Sequence, residues 1–123
     1  MRAAQIQKYS KKIQVEINNI EIPQIHRREV LVKVKAAGVN PLDILNMNGS
    51  VRMIADYTLP LTLGNELSGV IEAVGDDVLN FKVGDSVYTR LPLNKIGAFA
   101  EYAAVHEDAL SIMPENLSFI EAA

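Results

Sequence analysis

Apolar and polar residues alternate along this chain in short bursts, and a helical period is rarely held. Ile13, Val15 and Ile17 alternate with Gln14, Glu16 and Asn18, which predicts a strand closed by an Asn18-Asn19 turn. Val30, Val32 and Val34 alternate with Leu31, Lys33 and Lys35, predicting a strand with one apolar and one mixed face. A third strand is expected over Glu66 to Val74, with a bulge near Gly69 and a turn at Gly75-Asp76-Asp77. Ser86 to Leu91, entered through a tight Gly84-Asp85 turn, and Phe99 to Val105 complete the set. Seven glycines punctuate these runs, as expected when short strands curl around one core.

One short helix interrupts the pattern. Asn40 suits its cap, Pro41 its first position, Asp43 its first turn and Gly49 its end, while Leu42, Ile44 and Leu45 supply an apolar side. A second helix start is written into Ser118-Phe119-Ile120-Glu121, a Ser-x-x-Glu capping box followed by Ala122 and Ala123. Two or three residues cannot sustain a helix alone, so this start is read either as a frayed tail or as the opening of an element that continues beyond Ala123. The fold class that follows is mainly β with one or two short helices, in a single domain over residues 1–123.

Composition narrows the function classes. Of the 123 residues 49% are hydrophobic and 22% charged, as in ordinary globular domains, and the formal net charge is -3. That balance argues against nucleic acid or an anionic membrane as partner, since both call for a basic surface. Cysteine is absent, which excludes disulfides, thiolate metal sites and cysteine nucleophiles, and His26 and His106 are isolated. No zinc site is expected. Neither a signal peptide nor a run near the roughly 18 apolar residues of a membrane span occurs, so a cytoplasmic location is the default expectation.

Chemistry is harder to find. Two separated histidines make no Ser-His-Asp set, and neither a Gly-x-x-x-x-Gly-Lys-[Ser/Thr] nor a Gly-x-Gly-x-x-Gly phosphate turn is present. Asp43, Glu66, Asp85 and Glu101 are too scattered to be paired for acid–base work without a fold. Two dense segments remain, Gly38-Val39-Asn40-Pro41-Leu42-Asp43 and the stretch from Gly64 to Tyr88, and structural turns would explain most of both.

These segments resemble the N-terminal, GroES-like catalytic domain of the medium-chain dehydrogenase/reductase superfamily. Gly64, Glu66, Gly69 and Gly75, then Phe81, Gly84, Asp85 and Val87, stand at the spacing of its hallmark block. Gly97-Ala98-Phe99-Ala100-Glu101-Tyr102 and Pro114-Glu115-Asn116-Leu117-Ser118 are similar to its following strand and linker. The resemblance implies a partly open β-barrel and an incomplete catalytic domain, with the cofactor-binding doubly wound domain and a C-terminal return segment outside these residues. Asn40 and Asn65 stand where zinc alcohol dehydrogenases carry cysteine and histidine ligands, and amides do not replace those donors. The Gly-Val-Asn-Pro-x-Asp form is similar to the zinc-independent quinone oxidoreductase branch, which implies NADPH as cofactor and quinones or conjugated carbonyls (enones) as substrates.

By that resemblance Asn40 is a candidate catalytic and cofactor-binding residue, its amide facing the nicotinamide or the substrate carbonyl, with a plain helix-cap role equally open. Asp43 is read either as first-turn electrostatics or as a cofactor-cleft residue, and Glu66 as structural. Tyr57 is either a loop tyrosine or a proton donor approaching the cleft. The enzyme reading expects negligible turnover from the 123 residues alone. The competing reading is a free-standing GroES-like module that binds a partner or self-associates as a homo-oligomer without catalysis.

Overall fold

The computed structural model describes all residues, Met1–Ala123. Eight strands are present: β1 (Arg2–Ile6), β2 (Glu16–Asn19), β3 (Glu29–Gly38), β4 (Leu61–Thr62), β5 (Glu66–Val74), β6 (Ser86–Arg90), β7 (Tyr102–His106) and β8 (Ser111–Ile112). Helix α1 (Pro41–Asn48) follows β3, and α2 (Phe119–Ala122) closes the chain. The strands form a three-stranded sheet, β2-β1-β4, and a five-stranded sheet, β7-β3-β5-β6-β8, antiparallel throughout. The fold is mainly β with two short helices, and its sheets do not close fully into a barrel, as the sequence implied.

β3 is the spine of the large sheet, bonded to β5 on one side and β7 on the other. Its Val30 and Val32 face inward with no exposed surface, and meet Leu67, Ile71, Val87 and Val105 in the main core. The β3–β5 register slips between Leu31 and Val32 and again between Val34 and Ala36, the second slip beside Gly69. A Cβ at Gly69 would lie 2.2 Å from the Lys33 carbonyl oxygen, so only glycine lets the strands approach there.

A seam joins the sheets. Ala3 bridges Ala100, Ala4 N–H donates to Phe99 O (2.8 Å), and Val34 N–H donates to Glu101 O (2.9 Å). Residues 97–101 thus run from the small sheet to the large one. Gly64, at φ 100°, permits this crossing: its carbonyl accepts from both Gly97 and Ala98 N–H, and a Cβ would lie 2.6 Å from the Phe99 ring.

Three expectations need correction. The strand read from Ile13 to Ile17 is instead Glu16–Asn19, and Asn18 and Asn19 are paired residues, opposite Ala3 and Arg2, rather than a turn. Ile13 and Val15 are exposed and precede the pairing with β1, which begins at Glu16. The edge they would have occupied is set by polar contacts: Gln5, 6% exposed, bonds Asn18 (3.1 Å) and Thr62 (3.0 Å). The strand read from Phe99 begins only at Tyr102, since residues 99–101 are spent on the seam. The apolar side of α1 also does not face the core. Ile44 and Leu45 are exposed, and the buried residues are Asp43 and Asn46.

The expected Ser118 box forms in both directions, Ser118 N–H to Glu121 Oε1 (3.0 Å) and Glu121 N–H to Ser118 Oγ (3.1 Å). Ser68 Oγ on β5 donates to Phe119 O (2.6 Å) and docks α2 on the sheet. No helix is long and apolar enough to cross a membrane.

Two glycine substitutions separate close approach from backbone strain. Gly69→Ala is expected to cost several kcal/mol, about 3 or more, in urea unfolding, because the clash is with backbone. Gly84→Ala is expected to cost about 1 kcal/mol, since Gly84 has φ 93° but open space around it.

Acid sensitivity is expected from Glu29. Burial alone would raise its carboxyl, but the Lys95 ammonium and the His26 N–H (2.9 Å) outweigh burial and hold it below the ordinary carboxylate value of 4.5. A folded-state pKa below the unfolded one means stability is complete above that ordinary value and lost as pH falls through the folded one. Urea titrations across this window should show a shallower acid loss in Glu29→Gln than in the parent.

Candidate active-site cleft

The site is built where β3 gives way to α1. Gly38, the last residue of β3, lies opposite Glu66, the first residue of β5. Asn40 then takes an extended N-cap conformation (φ -128°, ψ 159°), and Pro41 starts the helix at a position that needs no N–H. The side-chain amide of Asn40 donates to Glu66 Oε2 at 2.9 Å. A β carbon at Gly38 would crowd the same oxygen at 3.2 Å, so the small residue keeps room for that carboxylate.

Asp43 holds this corner together. Its Oδ2 accepts the Asn40 backbone N–H (2.7 Å) and its Oδ1 accepts the side-chain amide of Asn65 (2.9 Å). Asp43 is 1% exposed and Asn65 2%, so these are charge-assisted bonds made away from water. One carboxylate therefore fixes the entry to α1 and ties it to the residue just before β5. The two amides at the positions of zinc ligands in the resembling dehydrogenases are each engaged by a carboxylate, Asn40 by Glu66 and Asn65 by Asp43.

Above this corner opens a cavity of about 460 Å³, within the range of small-molecule sites. Val39, Ile44, Leu63 and Phe99 form apolar walls, with Asn40 and Asp43 at the polar edge. The outward side of α1, unexplained by core packing, is one wall of this cleft. Ile44 and Met47 project there, while Asp43 and Asn46 turn inward at a spacing of three.

Of the sequence candidates, Asn40 and Asp43 are brought together and Tyr57 is not. Tyr57 does not line the cavity. Its hydroxyl donates to Leu93 O (2.5 Å) and its backbone N–H donates to the Tyr9 hydroxyl (2.9 Å). Burial, and next the neighbouring Tyr9, push the Tyr57 phenol above its ordinary value. It packs against the smaller core of Ile6, Leu61 and Leu63 and clamps two loops together. No group of three or more His, Asp or Glu residues gathers as a metal-binding cluster.

The alcohol dehydrogenase GroES-like domain model matches residues 26–115, most of the chain and all of the cleft's polar corner. The chain belongs to this family. Among its relatives, the quinone oxidoreductase of Sus scrofa is 40% identical over 106 residues, covering 86% of this chain and 31% of the relative. The chloroplastic NADPH-dependent alkenal/one oxidoreductase of Arabidopsis thaliana is 37% identical over 112 residues, covering 86% and 29%. The quinone oxidoreductase structure from Coxiella burnetii superposes with a TM-score of 0.88 at 30% identity, covering 100% of this chain and 40% of that one. The chain is thus similar, over this domain, to quinone oxidoreductases and an alkenal/one oxidoreductase, and it spans about 30% of the length of these curated relatives.

Sequence reasoning did not foresee which side chains bond Asn40 and Asp43. Glu66 was read as structural, and the side chain it holds is the Asn40 amide. Asn65 stood out only for replacing a ligand, although it completes the Asp43 bridge. The spacing of three from Asn40 to Asp43 to Asn46 was the available signal, since residues three apart share a helix face.

Removing the bridge should be costly. Asp43→Ala is expected to destabilise the protein by about 2–4 kcal/mol in urea unfolding, leaving the Asn65 amide and the Asn40 N–H buried without acceptors. Asp43→Asn, which retains one acceptor oxygen, should lose less.

Proposed function

We propose that this domain forms the substrate-facing half of an NADPH-dependent oxidoreductase that reduces quinones or conjugated carbonyl compounds without zinc. The observation that carries this reading is the Asn40 amide, held by Glu66 at the polar edge of an apolar cleft. The relatives supply the reaction class, through a quinone oxidoreductase and an NADPH-dependent alkenal/one oxidoreductase.

The cleft fits one end of the cofactor. Its apolar walls suit a flat ring, and the Asn40 amide at one edge suits a carboxamide or carbonyl oxygen. A cavity of about 460 Å³ is too small for a whole dinucleotide, and the chain carries no glycine-rich phosphate turn. Bound NADPH would supply a hydride.

The residues of this chain would do the rest. An asparagine side chain has two amide N–H bonds, and Glu66 takes one. The second is then fixed in direction and can donate to a substrate carbonyl oxygen as negative charge grows on it. Such a donor helps most when it is already oriented and shielded from water. Val39, Ile44 and Phe99 would lie against the faces of a bound ring. Asp43 acts through Asn40, fixing the backbone that carries the amide, and is a positioning residue.

The test uses the full-length protein with NADPH and a panel of quinones and enones. Turnover should be measurable, and Asn40→Ala should lower kcat/KM by about 10²-fold, as loss of one oxyanion donor does. A full-length protein that reduces none of the panel would refute the reading. The isolated 123-residue domain is expected to show negligible turnover in the same assay.

A further inference from the structure

Half of the twelve Lys and Arg residues lie within ion-pair distance of a carboxylate: Arg2, Arg27, Arg28, Arg52, Lys82 and Lys95. Of the six without one, Lys8, Lys11 and Lys12 crowd into a single five-residue stretch of the loop between β1 and β2, and all three are exposed. The chain as a whole is negative, so this concentration runs against its overall sign.

The loop is tied to the cleft at both ends. Ser10 N–H donates to the Met47 carbonyl (3.1 Å) at the end of α1, and Val15 lines the cleft, as Met47 does. Lys11 and Lys12 lie between these anchors. At no more than about 3.5 Å per residue, the Lys12 backbone is within about 10 Å of the cleft wall at Val15. Arg52 adds a fourth cation on the same side, its guanidinium 4.9 Å from the Tyr9 ring centre. Two acids face this group, so four cations stand against two anions and the loop keeps a positive excess. Glu16 accepts the Gln7 side-chain amide (3.2 Å), and Asp56 pairs with Arg52 (3.5 Å) and accepts the Tyr9 hydroxyl (3.4 Å).

We infer that the β1–β2 loop is an electropositive rim of the cleft, selecting reducible substrates that carry an anionic group, such as a sulfonate, carboxylate or phosphate, over neutral ones. This rests on the oxidoreductase reading above. The apolar walls take the reducible ring, and the ammonium groups meet the anion at the mouth while still hydrated, so neither partner is stripped of water. Charges separated by no more than a Debye length, about 8–10 Å, act together. Their effect falls on encounter and binding, and so on KM and its salt dependence, more than on kcat.

The experiment compares naphthoquinone sulfonate with unsubstituted naphthoquinone on the full-length protein with NADPH. Replacing the three lysines together (Lys8→Gln, Lys11→Gln, Lys12→Gln) should lower the sulfonate-to-neutral ratio of kcat/KM by about 5- to 20-fold at low ionic strength, through KM. Raised salt should erode the parent's ratio in the same direction. The control pair Lys33→Gln and Lys35→Gln, which removes two charges outside the loop, should move it far less per charge removed. A ratio unmoved by the triple variant overturns the proposal, as does a rise in the KM for NADPH instead, which would assign the anion to the cofactor. If the parent turns over neither quinone, the activity reading fails on its own. Calorimetric titration of the sulfonate then decides the rim: weaker binding to the triple variant supports it, and equal binding refutes it.

Discussion

The corner of the cleft depends on one buried carboxylate. Asp43 accepts a backbone N–H from the residue that begins α1 and a side-chain amide from the residue that precedes β5, so the helix and the strand cannot shift independently. Everything that faces the cleft from this side inherits its position from that bridge. The Asn40 backbone is set by it, the Asn40 amide is then turned by Glu66, and the outward rotation of Ile44 and Met47 follows from Asp43 and Asn46 turning inward. Removing such a group is expensive because its partners stay buried when it goes.

Much of the fold was legible in the sequence because glycine, β-branched residues and caps each answer to local physics. The strand at Glu66–Val74 appeared with its bounds, and Val30 and Val32 appeared on the buried face. The Ser118 box formed as written. What stayed hidden was held by contacts distant in the chain. β1 carries Ala3, Ala4 and Gln5, poor strand formers by composition, and is a strand because two partners flank it. Ile13 and Val15 have the right alternation but no neighbour to pair with.

The site was legible to a lesser degree, and for a related reason. Asn40 and Asp43 could be singled out because they sit together at a recognisable helix start. Glu66 lies 26 residues further on, and its bond to Asn40 exists only because β3 and β5 are adjacent. Tyr57 looked available because sequence places it near the right loop. Its hydroxyl is committed to the Leu93 carbonyl, a partner 36 residues away that no local pattern announces. The apolar positions of α1 carried a further ambiguity: a lipophilic stripe that faces a ligand cleft has the same sequence signature as one that faces a core.

Phe99 belongs to two parts of the molecule at once, accepting a hydrogen bond from β1 at the seam and forming a wall of the cleft. One wall of the cleft is therefore carried by the residue that joins the two sheets. A shift of this seam would move one wall of the space above Asn40. Scaffold closure and cleft shape thus share one residue, so a substitution at Phe99 would touch both.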